Sequence, residues 1–312
     1  MSRFKPDHRS GTTDKLPASL TESLSPSEVN TLLLEVFHRQ TRRLTPAQVL
    51  AAYRQNRFVR PAAIDPVAFR EFELLWVKAA QERGFEPLEL SPLAPLGCCS
   101  VVGTVHQDKV LSATRGTEVV ADATNLLALE SGVRRQAAGF PPEPSFLCAA
   151  HRHVRAPRVD LPGFSQHFTV FCLTSAGRDS GHFEFEQENI ARHIRLYVNI
   201  LQHKLNLRAL TITLKALDAE PERNPLFDRV LPHLQQQFAG IEIDIRRIPQ
   251  TQQQYYRALQ FGICWEYGGR AYPIADGGLT TWTQQLTGNR KERFVSSGIG
   301  IELLWKVLNG RG

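Results

Sequence analysis

Two arginines and an aromatic ring mark the stretch of this sequence best suited to hold a ligand. From Cys148 to Phe171 the chain reads CAAHRHVRAPRVDLPGFSQHFTVF, with Arg152 and Arg155 before a Pro/Gly-bearing turn (Pro157 to Gly163) and Phe168 after it. A guanidinium fork grips a phosphate or carboxylate bidentately, and a ring beside it can stack a base, so the pattern suits an anion or a nucleotide. The plain alternative is an arginine-rich exposed hairpin. His151, His153 and His167 gather in the same stretch without the spacing of a committed metal site, and read as ordinary strand residues. Five scattered cysteines (Cys98, Cys99, Cys148, Cys172, Cys264) form neither a CxxC pair nor a Cys/His ligand pattern, which predicts reduced thiols and no structural metal.

The elements around these residues follow from periodicity. Phe146 and Leu147 before the arginines, and the alternation ending in Phe168, Val170 and Phe171, predict two strands joined by a loop. Ahead of them, Asp122-Ala123-Thr124 starts a helix with Thr124 as the expected N-cap, and Asp122 suits that helix start electrostatically. After them come a helix from Phe185 to Leu205, strands through Leu210–Leu214 and Ile241–Ile245, and between these a helix opened by Asn224-Pro225. Tyr255 to Glu266 reads as a strand leading into turns at Gly268-Gly269 and Asp276-Gly277-Gly278. Since side chains alternate across a strand, at most one of Tyr255 and Tyr256 is expected to face a pocket. The sequence closes on a strand, a glycine-rich turn and a helix between Phe294 and Trp305.

Residues 1 to 24 lack apolar periodicity and read as a mobile arm. Ser25-Pro26-Ser27-Glu28 is a capping box, Thr45-Pro46 starts a second helix, and the pair makes a helical extension over residues 25–64. A third helix runs from Asp65-Pro66 through Phe69, Phe72 and Trp76 to Gly84, followed by an alternating strand, Phe85 to Pro92, and by a strand or hairpin over Val101 to Leu111. Helices and strands mix without βαβ regularity, which predicts an α+β core over 65–312 with a mainly antiparallel sheet. With 312 residues, 42% of them hydrophobic, the chain can bury a real core, and its 37 basic against 31 acidic residues give a mild excess of +6. That excess is compatible with nucleic acid without demonstrating it. No apolar run approaches the roughly 18 residues of a membrane span and no signal-peptide core is present, so a cytoplasmic protein without membrane association is expected.

Three stretches in order resemble the motifs of class II aminoacyl-tRNA synthetases. Gly84 to Pro92 is similar to motif 1, the helix and strand that build the family's dimer interface. His151-Arg152-His153-Val154-Arg155 through His167-Phe168 is similar to motif 2, whose arginine meets the α-phosphate of ATP and whose phenylalanine stacks on adenine. Gly298-Ile299-Gly300-Ile301-Glu302-Leu303 is similar to motif 3 of the ATP site. Within the class, histidyl-tRNA synthetase and the ATP phosphoribosyltransferase regulatory subunit are the nearest in pattern: Asp122 and Thr124 resemble the acid and threonine of their amino-acid pocket, and Tyr255-Tyr256 and Gly268-Gly269 their Tyr-Tyr strand and Gly-Gly turn.

The resemblance, which spans about Asp65 to Leu308, implies a homodimer and two groups of site residues. Arg152, Arg155, Phe168, Gly298 and Gly300 would bind nucleotide, with Arg152 the catalytic residue if the protein is active, and Asp122, Thr124, Tyr255 and Tyr256 would form an amino-acid pocket. ATP and Mg2+ are the cofactors it implies. The departures bear on activity. The motif 3 arginine falls on Leu303, the motif 2 acid on Val154, a catalytic arginine of the histidyl enzyme on Thr251, and the side chains that hold histidine on Val170 and Thr174, and no anticodon-binding domain is expected after motif 3. In comparable electrostatic sites the loss of one such donor costs about 3–4 kcal/mol. The first reading is therefore a non-aminoacylating regulatory or amino-acid- or nucleotide-sensing subunit, acting with a partner enzyme subunit. The second is a ligase that adenylates a carboxylate, using Arg115, Arg155 or Arg158, and passes it to a non-standard acceptor. The third is a scaffold that binds tRNA or another RNA.

Overall fold

The computed structural model describes residues 20, 22–157, 164–218, 223–249 and 255–310. Most of the expected N-terminal arm, most of the Pro157 to Gly163 turn with Arg158, and the Gln250 to Gln254 run with Thr251 lie outside the described residues.

Local signals set the first helices. In α1 (Pro26–Thr41) the Ser25 hydroxyl and the Glu28 carboxylate satisfy one another's backbone N–H groups, and Thr45 and Gln48 do the same for α2 (Pro46–Gln55). Neither helix buries a residue, and Leu33, Phe37, Leu50 and Tyr53 stay exposed. The extension meets the rest through polar contacts, such as Arg57 Nη2 donating to Ala156 O at 2.7 Å, and through Ile64 at its end, which packs against the main core. By contrast α3 (Pro66–Gln81), N-capped by Asp65, buries Phe69, Trp76, Ala79 and Ala80.

Gly84, at φ +84°, then turns the chain into β1 (Glu86–Pro87), shorter than the strand to Pro92 that alternation suggests. A small two-stranded sheet of β2 (Leu93–Pro95) and β3 (Thr117–Val119) follows. The expected strand over Val101 to Leu111 is instead a π turn at Cys98–Val102 and a 3-10 turn at Gln107–Lys109. A buried carboxylate pins the entry to this segment: Glu118 accepts from Gly97 N (2.9 Å), Cys99 N (2.8 Å) and the Gln107 side chain (3.0 Å), so the backbone just before Val101 is met by a side chain and not by a ladder.

The remaining elements are α4 (Ala123–Ala137), β4 (Ser145–Val154), β5 (His167–Arg178), α5 (Glu184–Asn199) with a π turn at Ile200–Lys204, β6 (Leu210–Asp218), α6 (Pro225–Gln237), β7 (Glu242–Pro249), β8 (Ala258–Tyr267), β9 (Arg270–Thr280), α7 (Trp282–Thr287), β10 (Glu292–Ile299) and α8 (Ile301–Leu308). Eight strands form one sheet in the order β1-β4-β5-β10-β9-β8-β6-β7, antiparallel except for the pairs β1/β4 and β6/β7. This is the mixed, mainly antiparallel α+β architecture expected from the sequence.

Alternation along β4 and β5 divides the sheet's two faces. Cys148, Phe171 and Leu173 join Trp76, Tyr197 and Trp305 in the main core with α3, α5 and α8, while Leu147, Ala149 and Cys172 pack with Ala123 and Leu127 of α4 on the other side. One expected turn is also corrected. Asp276-Gly277-Gly278 lies inside β9, and the glycines there answer to close packing: a Cβ on Gly277 would stand 2.4 Å from Ser297 Cβ and 2.5 Å from the Phe261 ring.

Candidate ligand site

The start of α4 organises the site. Asp122, not Thr124, is the N-cap: it accepts from Thr124 N (3.0 Å) and Thr124 Oγ1 (2.7 Å). The Tyr255 hydroxyl closes the group, donating to Asp122 at 2.8 Å and lying 3.0 Å from Thr124 Oγ1. Residues more than 130 positions apart are thus bonded through their side chains. Burial acts to raise the Asp122 carboxyl, but the His153 ring, Arg155 and the two Thr124 donors, in that order, outweigh it and hold the group below the usual carboxylate range.

These residues line a cavity of about 430 Å³ on the α4 side of the sheet, together with His153, Phe168, Cys172, Asp276, Gly298 and Gly300. It continues past Phe164 and Gln166 into an adjoining chamber that reaches Cys99 and Lys109. Both Tyr255 and Tyr256 face the cavity, against the expectation that only one would. They precede β8 instead of belonging to it, so strand alternation does not apply, and their rings meet edge to face at 4.7 Å. Tyr256 donates to Asp276 at 3.3 Å. Burial, and then the nearby charge of Asp122, push the Asp276 carboxyl above its usual range. Two carboxylates in one cleft therefore have affinities for protons driven apart.

Strand register decides where the hairpin arginines go. His153 pairs with Phe168 across β4 and β5, so His153, Phe168, Val170 and Cys172 share the cavity face, and Arg152 points to the other. Arg152 Nη2 meets Glu302 at 2.8 Å and its Nη1 meets His167 Nδ1 at 2.8 Å. Arg155 is the hairpin arginine that reaches the cavity. Its guanidinium lies over the Phe168 ring, 5.3 Å from the centroid, while Nε donates to Ala121 O at 3.1 Å and Nη2 stands 3.9 Å from Asp122. From α8, Leu303 and Lys306 line the cavity, and Lys306 Nζ bonds Glu302 at 2.9 Å. Thr174 is fully buried, its hydroxyl 3.5 Å from Leu147 O.

Four titratable residues of the cavity wall are not among the site candidates the sequence offers: Asp276, Lys306, Cys172 and His153. Asp276 falls in a stretch that reads as a turn and becomes a site residue only because that stretch lies inside β9; the others become site residues through register and through α8's approach.

Comparison with known proteins places this geometry. No family model matches the sequence, and no curated protein matches it. Among solved structures, the chain superposes on S. aureus histidyl-tRNA synthetase with TM-score 0.57 and 14% identity, over 80% of this chain and 68% of that one. The fold is that of the class II aminoacyl-tRNA synthetases. An ATP phosphoribosyltransferase regulatory subunit/histidyl-tRNA synthetase from Bacillus halodurans gives TM-score 0.60 at 12% identity, over 80% and 81% of the two chains. A histidine–tRNA ligase subunit from Alicyclobacillus acidocaldarius gives 0.56 at 12%, over 80% and 97%. Identities this low speak to the fold alone.

ATP, which the motif resemblance implies, fits the described cavity residues poorly. A triphosphate needs several cations free to turn towards it. Here Arg152 is held by Glu302 away from the cavity, Lys306 is paired with the same carboxylate, Leu303 offers no charge, and Arg155 covers the ring that would stack on adenine. Asp122 and Asp276 add negative charge to the cleft.

Proposed function

We propose that this protein is a non-aminoacylating class II synthetase-like subunit whose cleft binds a small amine-bearing metabolite, in the first place an amino acid. The Asp122–Thr124–Tyr255 group carries the reading. It places an ionised, oriented carboxylate at the cavity wall, with Asp276 and Tyr256 beside it, which is the arrangement an ammonium group requires. Arg155, on the same wall, can meet the ligand's carboxylate. The poor fit for ATP favours sensing over adenylation. The likeness to an ATP phosphoribosyltransferase regulatory subunit/histidyl-tRNA synthetase supports a role beside a partner enzyme, and the motif 1 resemblance supports a homodimer.

The test is the thermal shift of the purified protein with each amino acid at millimolar concentration and, separately, with Mg-ATP. A ligand at a hundredfold its Kd stabilises by about 2.7 kcal/mol, a shift of a few degrees. One amino acid shifting the melt without ATP supports the sensor. A shift with ATP, together with pyrophosphate exchange dependent on a carboxylate, would replace it with the ligase reading. Sedimentation velocity at micromolar concentration tests the dimer, and a monomer near 35.1 kDa removes it.

A further inference from the structure

We propose that the amino acid taken up by the cleft is an acidic one, whose side-chain carboxylate enters the adjoining chamber and is held there by Lys109 and Gln260. The inference rests on the amino-acid reading above and names the class of ligand. The chamber has a volume of about 490 Å³ and opens past the same wall, since Asp122, Arg155, Tyr255, Tyr256 and Asp276 line both spaces. A ligand anchored on that wall therefore has two directions in which to lay its side chain.

The two directions differ in what they offer. Towards α8 the wall is apolar, with Val170, Cys172, Ile274 and Leu303, and the lysine on that side, Lys306, already bonds the buried Glu302. The adjoining chamber holds Lys109, an exposed side chain whose ammonium makes no hydrogen bond or ion pair among the described residues. The side-chain amide of Gln260, on β8, is likewise uncommitted among the described residues. Gln166, in the same chamber, is engaged, its Nε2 donating to Pro157 O at 2.9 Å.

A backbone contact sets Lys109 beside Arg155. The Ala156 N–H donates to Lys109 O at 3.1 Å, so the 3-10 turn that carries the lysine is joined to the end of β4 that leads into Arg155. The chamber thus presents two acids, Asp122 and Asp276, and two cations, Arg155 and Lys109. An amino acid with a neutral side chain answers three of them: its ammonium meets Asp122 with Asp276 beside it, and its α-carboxylate meets Arg155. Lys109 is then left without a counterpart. A second carboxylate supplies one, in a charge-assisted contact that Gln260 extends by donating to the same group. Selection follows from the difference between ligands: the amide of the same shape brings no charge to the lysine, and an apolar side chain would displace water from Lys109 and Gln260 and return nothing.

Calorimetric titration of the full chain with L-glutamate, L-aspartate, L-glutamine, L-asparagine and L-leucine is the experiment. One of the two acids should bind at least tenfold more tightly than its own amide and than leucine, and the margin should shrink as salt is raised, because Lys109 is exposed. Lys109→Met should bring the acid down to the affinity of its amide without moving the melting temperature. Lys291→Met, just before β10 at the end away from Gly298 and the cleft, should leave the margin in place. A neutral amino acid that binds as tightly as the acids, or a margin that survives Lys109→Met, overturns the assignment of the chamber and leaves the amino-acid reading standing. Binding by none of the five, with no thermal shift from any other amino acid, overturns both.

Discussion

Arg152 and the buried Glu302 meet at 2.8 Å, so the hairpin arginine clamps the helix after β10 to the β4–β5 hairpin. Glu302 also accepts from Thr169 N at 3.1 Å and from Lys306, which makes it the hub joining hairpin and helix. Arg152→Ala should therefore cost stability, about 1–2 kcal/mol, because a buried acceptor loses a charged donor while two others remain. Arg155→Ala should cost less stability and more ligand affinity. Chemical denaturation and calorimetric titration of both variants check the contrast; equal losses of affinity would return Arg152 to the site.

Asp122→Asn keeps the volume of the N-cap side chain but removes the charge in the cleft. Affinity for an amine-bearing ligand should fall at least tenfold, with only a modest drop in melting temperature, since Asn caps helices well. Tyr255→Phe should produce a smaller loss, having removed only the hydroxyl that orients the carboxylate. Isothermal titration gives both numbers, and an unchanged Kd for Asp122→Asn would exclude this carboxylate from recognition.

How much of this was legible beforehand differs between fold and site. The capping box at Ser25, the helix starts at Thr45-Pro46 and Asp65-Pro66 and the alternation of Leu210 to Leu214 are local and survive intact. Val101 to Leu111 departs from the expected strand where Glu118 takes the backbone N–H groups of Gly97 and Cys99 and the Gln107 side chain, a partner that local pattern does not show. The pocket group of Asp122, Thr124 and Tyr255 was named through motif resemblance, whereas its bonding depends on the approach of two distant segments. Arg152 and Arg155 look equivalent in sequence. The facing of β4 against β5 separates them, and a shift of one residue would exchange their roles.

His153 and His193 predict an acid-sensitive fold. Burial pushes both rings down to about 3 from an ordinary value of 6.5; His193 is fully enclosed, between Ser175 Oγ at 3.0 Å and Ser297 Oγ at 2.8 Å. Below 6.5 the unfolded chain takes up protons that the folded protein refuses. Their stabilising contribution is therefore complete above about pH 6.5 and is lost as pH falls towards about 3, at no more than about 1.4 kcal/mol per pH unit for each ring. Urea denaturation across this range should show that slope, and His193→Gln should reduce it; a flat profile would mean that the rings are charged in the native state.

Leu303 supplies no charge where α8 lines the cleft, and this can be reversed. Leu303→Arg places a guanidinium on the cavity wall beside Lys306, so Mg-ATP should shift the melt of the variant by more than that of the parent. An identical response in both would show that the missing charge is not what keeps the triphosphate out.

Gly277→Ala tests the packing between β9 and β10. The added methyl collides with Ser297 and Phe261, and the cost should be about 1–3 kcal/mol or more, read from the midpoint of denaturation. A neutral result would mean that the two strands can separate locally without loss.

The position of β10 has a consequence for how the molecule is made. This strand is the last of the sheet in chain order, yet it lies between β5 and β9 and joins the hairpin half to the half built from β6 to β9. Until it is synthesised, each half carries a bare inner edge, open to pairing with any other strand. Closure of the sheet must wait until Glu292–Ile299 has left the ribosome, and a protein truncated before Glu292 would leave the inner edges of β5 and β9 unpaired.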